Sequence, residues 1–128
     1  MIRPPLLVLD CPDDCLRAIA DIAPRSFGSL HLLTDRGPLV RLASRWDAPV
    51  VVLPLDGAGV PAVPLIHELL LTSPAARVAL FLGARSGKGS DVVEAIRAGA
   101  ADVLVDGQDW AGIFARPRER PRPLPHRP

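Results

Sequence analysis

Cys11 and Cys15 are the two thiols of this 128-residue chain, and their i, i+4 spacing brings both to one side of a helix start, where the amide dipole can lower a thiol pKa. Such a pair could serve as a redox switch or as half of a metal site. A zinc site needs four ligands, however, and none of the three histidines is near in sequence, so the pair reads as two small core residues. Gly83-Ala84-Arg85-Ser86-Gly87-Lys88-Gly89-Ser90 lies where a phosphate-cradling loop would lie, between an apolar run and a helical pattern. It is one residue short of G-x-x-x-x-G-K-[ST], and Gly89 stands where the magnesium-binding hydroxyl belongs. Gly57-Ala58-Gly59-Val60-Pro61-Ala62 fits G-x-G-x-x-A, but the segment about 20 residues further on, 79–82, has no acid to hold a ribose. His31 and His67 lack a neighbouring nucleophile motif, and Ser90–Asp91 is a pair of residue types without the third member of a triad.

The elements that must position these groups alternate regularly. Pro5–Leu9 is a continuous apolar run, as expected of a strand covered on both faces. Pro12 suits a helix start, with Cys15, Leu16, Ile19, Ala20 and Ala23 facing inward and Pro24 as the stop. Leu30–Leu33 is a second strand, followed by a helix over Pro38–Trp46 that buries Leu39, Leu42, Ala43 and Trp46. Val50–Leu55 is the third strand, and the next helix spans about Pro61–Leu71 with Val63, Ile66, Leu69 and Leu70 inward. After a fourth strand at Val78–Leu82, Ser90 is expected to cap a helix that buries Val92, Val93 and Ile96 and ends at Gly99; Val103–Val105 is the fifth strand. Strands separated by helices imply right-handed crossovers and an α/β fold, a flavodoxin-like doubly wound parallel sheet of five strands in the order 2-1-3-4-5.

Asp109–Ala115 has room for two helical turns, after which Pro117, Pro121, Pro123, Pro125 and Pro128 forbid continuation. The reading is therefore one folded domain over 1–115 and an Arg/Pro-rich disordered tail over 116–128. A short last helix is expected to leave part of one sheet face open, with Trp110, Ile113 and Phe114 forming an interaction face for a protein partner or a second copy.

Composition narrows the function classes. Of the net charge of +1, the tail contributes +4 through five Arg and one Glu, leaving −3 on residues 1–115, so the folded body is not expected to bind nucleic acid directly. Without aromatic residues to stack bases, the tail is read as solvated. No apolar stretch approaches the roughly 18 residues of a membrane span, and a cytoplasmic protein is expected, with no membrane association. The 14 Arg against one Lys, with no Tyr and no Asn, suit a GC-rich bacterial genome.

Several segments carry a resemblance. Arg77-Val78-Ala79-Leu80-Phe81-Leu82-Gly83-Ala84, then Asp91-Val92-Val93-Glu94-Ala95-Ile96-Arg97-Ala98-Gly99-Ala100-Ala101-Asp102-Val103-Leu104-Val105, is similar to the fourth strand, fourth helix and fifth strand of a response-regulator receiver domain. Leu9-Asp10-Cys11-Pro12 matches that family's acidic pair, variable residue and proline, and Val50-Val51-Val52-Leu53-Pro54-Leu55-Asp56-Gly57 resembles its third strand and loop. The resemblance covers about residues 5–110.

It implies a site of five groups: two acids after strand 1 and an acceptor aspartate around a divalent cation, a hydroxyl after strand 4, and a lysine after strand 5. Laid on that pattern, the first acid is Leu9 and the second Asp10. The acceptor is Pro54, with Asp56 two residues too late; the hydroxyl falls on Leu82 or Gly83, and the lysine is Asp106. Only Asp10 survives, so neither phosphorylation, catalysis, a metal nor a cofactor is expected.

The chain thus resembles a degenerate receiver, a phosphorylation-independent regulatory or protein-interaction domain. The segments after strands 3 and 5 look like the receiver-like region of AraC-type bacterial transcriptional regulators. Those proteins continue into a helix-turn-helix domain, which these 128 residues do not contain, so DNA binding is not carried over. Two competing readings are a small nucleotide-binding protein using the Gly83–Ser90 loop and a fragment of a DNA-binding regulator.

Overall fold

The computed structural model describes residues 3–55, 62–82, 89–105 and 108–116, the side chains of residues 89–91 excepted. Strands β1 (Pro5–Leu9), β2 (Ser29–Leu33), β3 (Val50–Pro54), β4 (Arg77–Leu82) and β5 (Asp102–Val105) alternate with helices α1 (Asp13–Ser26), α2 (Arg36–Ala43), α3 (Ala62–Thr72), α4 (Gly89–Ala98) and α5 (Trp110–Ala115). All pairings are parallel, in the order β2-β1-β3-β4-β5. This is the flavodoxin-like sheet expected from the alternation of runs.

Successive strand residues point to opposite faces, and each face has its own core. Leu7, Leu9, Val51, Leu53, Val78 and Leu80 meet Leu39 and Val40 of α2, Leu65, Ile66 and Leu69 of α3, and Ala95 of α4. Leu6, Val8, Val50, Val52, Ala79, Phe81 and Leu104 meet Cys15, Ile19, Ile22 and Ala23 of α1 and Trp110 of α5. No helix among the described residues is long and apolar enough to cross a membrane.

Several expectations are corrected at the helices. Pro24 lies inside α1 and does not stop it: only the Pro24 N–H is missing, Phe27 N still donates to Ala23 O at 3.0 Å, and buried Ile22, Ala23 and Phe27 hold the last turn on the sheet. Ala20 is exposed and Ile22 takes its place inside. Helix α2 begins at Arg36 and ends at Ala43, so Trp46 sits beyond it, half-buried, with its ring 5.1 Å from that of His31. In α3, Leu65 is fully buried, while Val63 and Leu70 are only half-buried.

Helix α4 starts at Gly89, which puts Ser90 inside its first turn and not at its cap. Its apolar stripe is wider than the sheet can cover: small Ala95 makes the close contact, and Val93 (47% exposed) and Ile96 (50% exposed) turn outward. The end of α4 is a Schellman turn, with Gly99 N donating to Ile96 O (3.0 Å) and Ala100 N to Ala95 O (3.1 Å). Gly99 has φ +125°, which favours glycine, and a Cβ there would lie 2.3 Å from Leu70 Cδ1, so any other residue would also have to displace that side chain.

The short α5 covers more than its length suggests. Asp109 caps it, its Oδ1 accepting from Gly112 N at 3.1 Å. Trp110 packs edge-on against Phe81, ring centroids 5.6 Å apart, and its Nε1 donates to Val105 O at 2.8 Å. Phe114 does the same against Phe27 at 5.3 Å. Two aromatic rings thus do the covering expected of a longer helix, and Leu104 beneath them is fully buried. The expectation of an open sheet face here does not hold.

Arg77, at the start of β4, fastens the end of α5. Its guanidinium pairs bidentately with Asp102 (2.7 and 3.0 Å) and donates to the carbonyls of Ile113 (2.9 Å), Phe114 (3.3 Å) and Arg116 (3.1 Å). A guanidinium suits this position because its fork serves a carboxylate and the orphan carbonyls of a helix end at once.

Candidate functional site

In an open parallel sheet the crevice for ligands lies beyond the C-terminal ends of the strands. Here the last residues of the five strands, Leu9, Leu33, Pro54, Leu82 and Val105, are all apolar. Leu9 closes β1 with its side chain in the core against the α2–α3 layer, so the position that would offer a first acid contributes packing. Asp10 follows it, exposed, at φ +39°. Aspartate tolerates this left-handed backbone better than most residues, and the turn is fixed by Asp10 N donating to Leu33 O at 2.8 Å.

Pro54 ends β3, buried and in register with Phe81 of β4. A proline is rare in a central strand because it cannot donate to the ladder. Arg77 N donates to Pro49 O and Leu55 N to Phe81 O, so by alternation the odd-numbered residues of β3 face β4 and Pro54 faces β1. The β1–β3 pairing ends at Val8–Val52, which places the missing N–H past the last pair and makes the proline tolerable. Leu82, half-buried, ends β4 opposite Val105. The structure therefore brings Leu9, Asp10, Pro54 and Leu82 to one end of the sheet. Gly83 and Asp106 lie outside the described residues, as do Asp56, most of the Gly57–Ala62 stretch and the Lys88 loop up to Gly89.

The chemistry available from the described residues is limited. Of the four positions brought together only Asp10 carries a carboxylate, and no three His, Cys, Asp or Glu side chains among the described residues gather as metal ligands would. Cys11 and Cys15 are both buried beneath this end of the sheet. A hydrogen bond with Cys11, then burial, then the charges of Cys11 and Asp14 push the Cys15 thiol far above the ordinary 9.0. This is opposite in direction to the pull of a helix start, so Cys15 is not poised as a thiolate nucleophile.

One juxtaposition escaped sequence reasoning. Ser29 Oγ lies 3.0 Å from His31 Nε2 on β2, a pairing that the period-2 alternation of a strand could have revealed. Their bond is exposed at the sheet edge, and among the described residues no carboxylate orients the ring, so they do not form a triad. His67 is exposed on α3.

The proposed contact surface of Trp110, Ile113 and Phe114 is also revised. Trp110 is 3% exposed and serves the core, because its indole N–H finds Val105 O inside; Ile113 and Phe114 are half-buried. The large apolar side chains left outside are Leu30 and Leu32 on β2, Leu71 on α3, and Val93 and Ile96 on α4.

No protein-family model and no curated protein matches the chain. Solved structures do. A response regulator from Burkholderia pseudomallei, with a phosphorylated aspartic acid, calcium ion and citrate, superposes at TM-score 0.68 and 18% identity, covering 88% of this chain; the chain spans 65% of that protein. A LuxR-family two-component response regulator from an Aurantimonas species gives TM-score 0.69 and 21% identity over 92% of this chain and 89% of its own. The signal receiver domain of an HD domain-containing protein from Pseudomonas fluorescens gives 0.70 and 17% over 89% and 83%. At these identities what is shared is the receiver fold.

Proposed function

We propose that this chain is a receiver-like regulatory domain that works through protein contacts and without phosphoryl transfer, in bacterial signal transduction or transcriptional control. The observation that carries the reading is Pro54: the acceptor position at the C-terminal end of β3 holds a buried side chain with no carboxylate. Leu9 in the core and Leu82 at the end of β4 support it, since neither can ligate a cation or bind a phosphoryl oxygen. The negative charge of residues 1–115 argues for a protein partner over nucleic acid. On this reading the domain is not an enzyme and its folded unit ends near Ala115.

The test is exposure to acetyl phosphate, and separately to beryllofluoride with magnesium. Mass spectrometry is expected to find no acyl phosphate, and amide NMR spectra no shifts at Asp10 or along β3 and β4. A stable aspartyl phosphate on any residue would overturn the proposal.

A further inference from the structure

We infer that the outer edge of β2 is a self-association site, on which a second copy of this chain adds its own β2 antiparallel across a two-fold axis through His31. The inference rests on the edge itself and not on the proposed function, and it would stand if phosphorylation were found.

The two edges of the sheet differ. At β5, Val105 N donates to Gln108 Oε1 (3.2 Å) and Val105 O accepts from Trp110 Nε1 (2.8 Å), so the chain's own side chains occupy that edge. At β2, nothing among the described residues pairs with the outer side. Ser29-Leu30-His31-Leu32-Leu33 also carries none of the residue types that usually protect an edge: no lysine, no proline and no Asp, Glu or Arg. Leu30 and Leu32 are 39% and 59% exposed.

The register makes this edge complementary to itself. Leu33 O accepts from Asp10 N, so Leu33 and His31 turn their backbone groups to β1, while Leu30 and Leu32 turn theirs outward. An antiparallel copy centred on His31 sets Leu30 opposite Leu32 of the copy, and Leu32 opposite Leu30. Those are the outward-facing residues on both sides, and each such pair exchanges two N–H···O=C bonds. Leu30 and Leu32 lie in register with Leu6 and Val8 on the α1 face, so four leucines would cluster on one face of the joined sheet. A displacement by one residue would set outward groups against inward ones, and a displacement by two would keep only one leucine pair, so the pairing centred on His31 is the one that uses the whole edge. A five-residue edge offers a small contact, which implies a reversible dimer and not a permanent one.

The test uses the full chain. Sedimentation is expected to show a concentration-dependent dimer, and hydrogen exchange at the Leu30 and Leu32 amides is expected to slow as concentration rises. Leu32→Lys should raise the dissociation constant about tenfold or more, because a charge then faces the leucines across the pair. Ile96→Lys, on the other exposed apolar site, should leave it unchanged. His31→Cys should form a disulfide-linked dimer on mild oxidation, since residues at the axis have Cα atoms about 4.5 Å apart, within disulfide reach.

A strict monomer at high concentration overturns the inference, as does a dimer lost with Ile96→Lys and kept with Leu32→Lys. Slow exchange at Leu30 and Leu32 that is independent of concentration also overturns it, by showing that a segment of the same chain occupies the edge.

Discussion

Replacing Arg77 with Met keeps the aliphatic stem over the sheet and removes five hydrogen bonds, two to Asp102 and three to carbonyls at the end of α5. The cost comes mainly from what remains behind. The Asp102 carboxylate, whose side chain is 14% exposed, loses its partner, and the carbonyls of Ile113, Phe114 and Arg116 lose their shared donor. Breaking a fully buried ion pair costs about 3–5 kcal/mol; some solvent reaches this pair, so about 3 kcal/mol is expected. With a urea m-value near 1.5–2 kcal/mol/M for a domain of this size, the midpoint should fall by about 1.5–2 M. Hydrogen exchange should quicken first at residues 110–115, because α5 is held by this side chain and by two aromatic contacts. Adding Asp102→Leu should restore roughly half of the loss, since the orphaned charge is then gone. A midpoint shift below about 0.3 M for Arg77→Met would place the pair with ordinary surface ion pairs and refute the account of α5 as a helix fastened from β4.

Two further outcomes follow from the same structure. Gly99→Ala should destabilise the domain by about 1–3 kcal/mol in urea titration, through both a strained positive φ and a methyl driven into Leu70; an unchanged midpoint would mean that the α4 turn relaxes freely. Cys15 has its pKa raised in the folded state, so its contribution to stability is full below the ordinary 9.0 and is lost as pH climbs above it, where the unfolded chain releases the proton and the folded chain keeps it. The chain has one Lys and no Tyr, leaving few other groups to titrate there. Unfolding free energy between pH 8 and 10.5 should therefore fall less steeply for Cys15→Ala than for the parent, and equal slopes would contradict the assignment.

The alternation of apolar runs with helical patterns determined the class, the strand order and every strand boundary to within one residue, because a strand buried on both faces must be apolar at each position, and Pro5–Leu9 and Val50–Pro54 are so. The absence of an acceptor at Pro54 is likewise a matter of residue type at a register position. Which side of a helix faces inward was less legible. In α4 the residues Val92, Val93, Ala95 and Ile96 span more arc than one sheet face can cover, and the choice of Ala95 over Ile96 follows from the close approach of α3. The short α5 presented the opposite problem: helix length foretold an open face, while the rings of Trp110 and Phe114 and the reach of Arg77 from 36 residues earlier closed it. Sequence patterns speak for contacts within a turn or along a strand. Contacts such as Arg77 with Ile113, or the pairing that leaves β2 outermost, exist only once the chain has brought distant segments together.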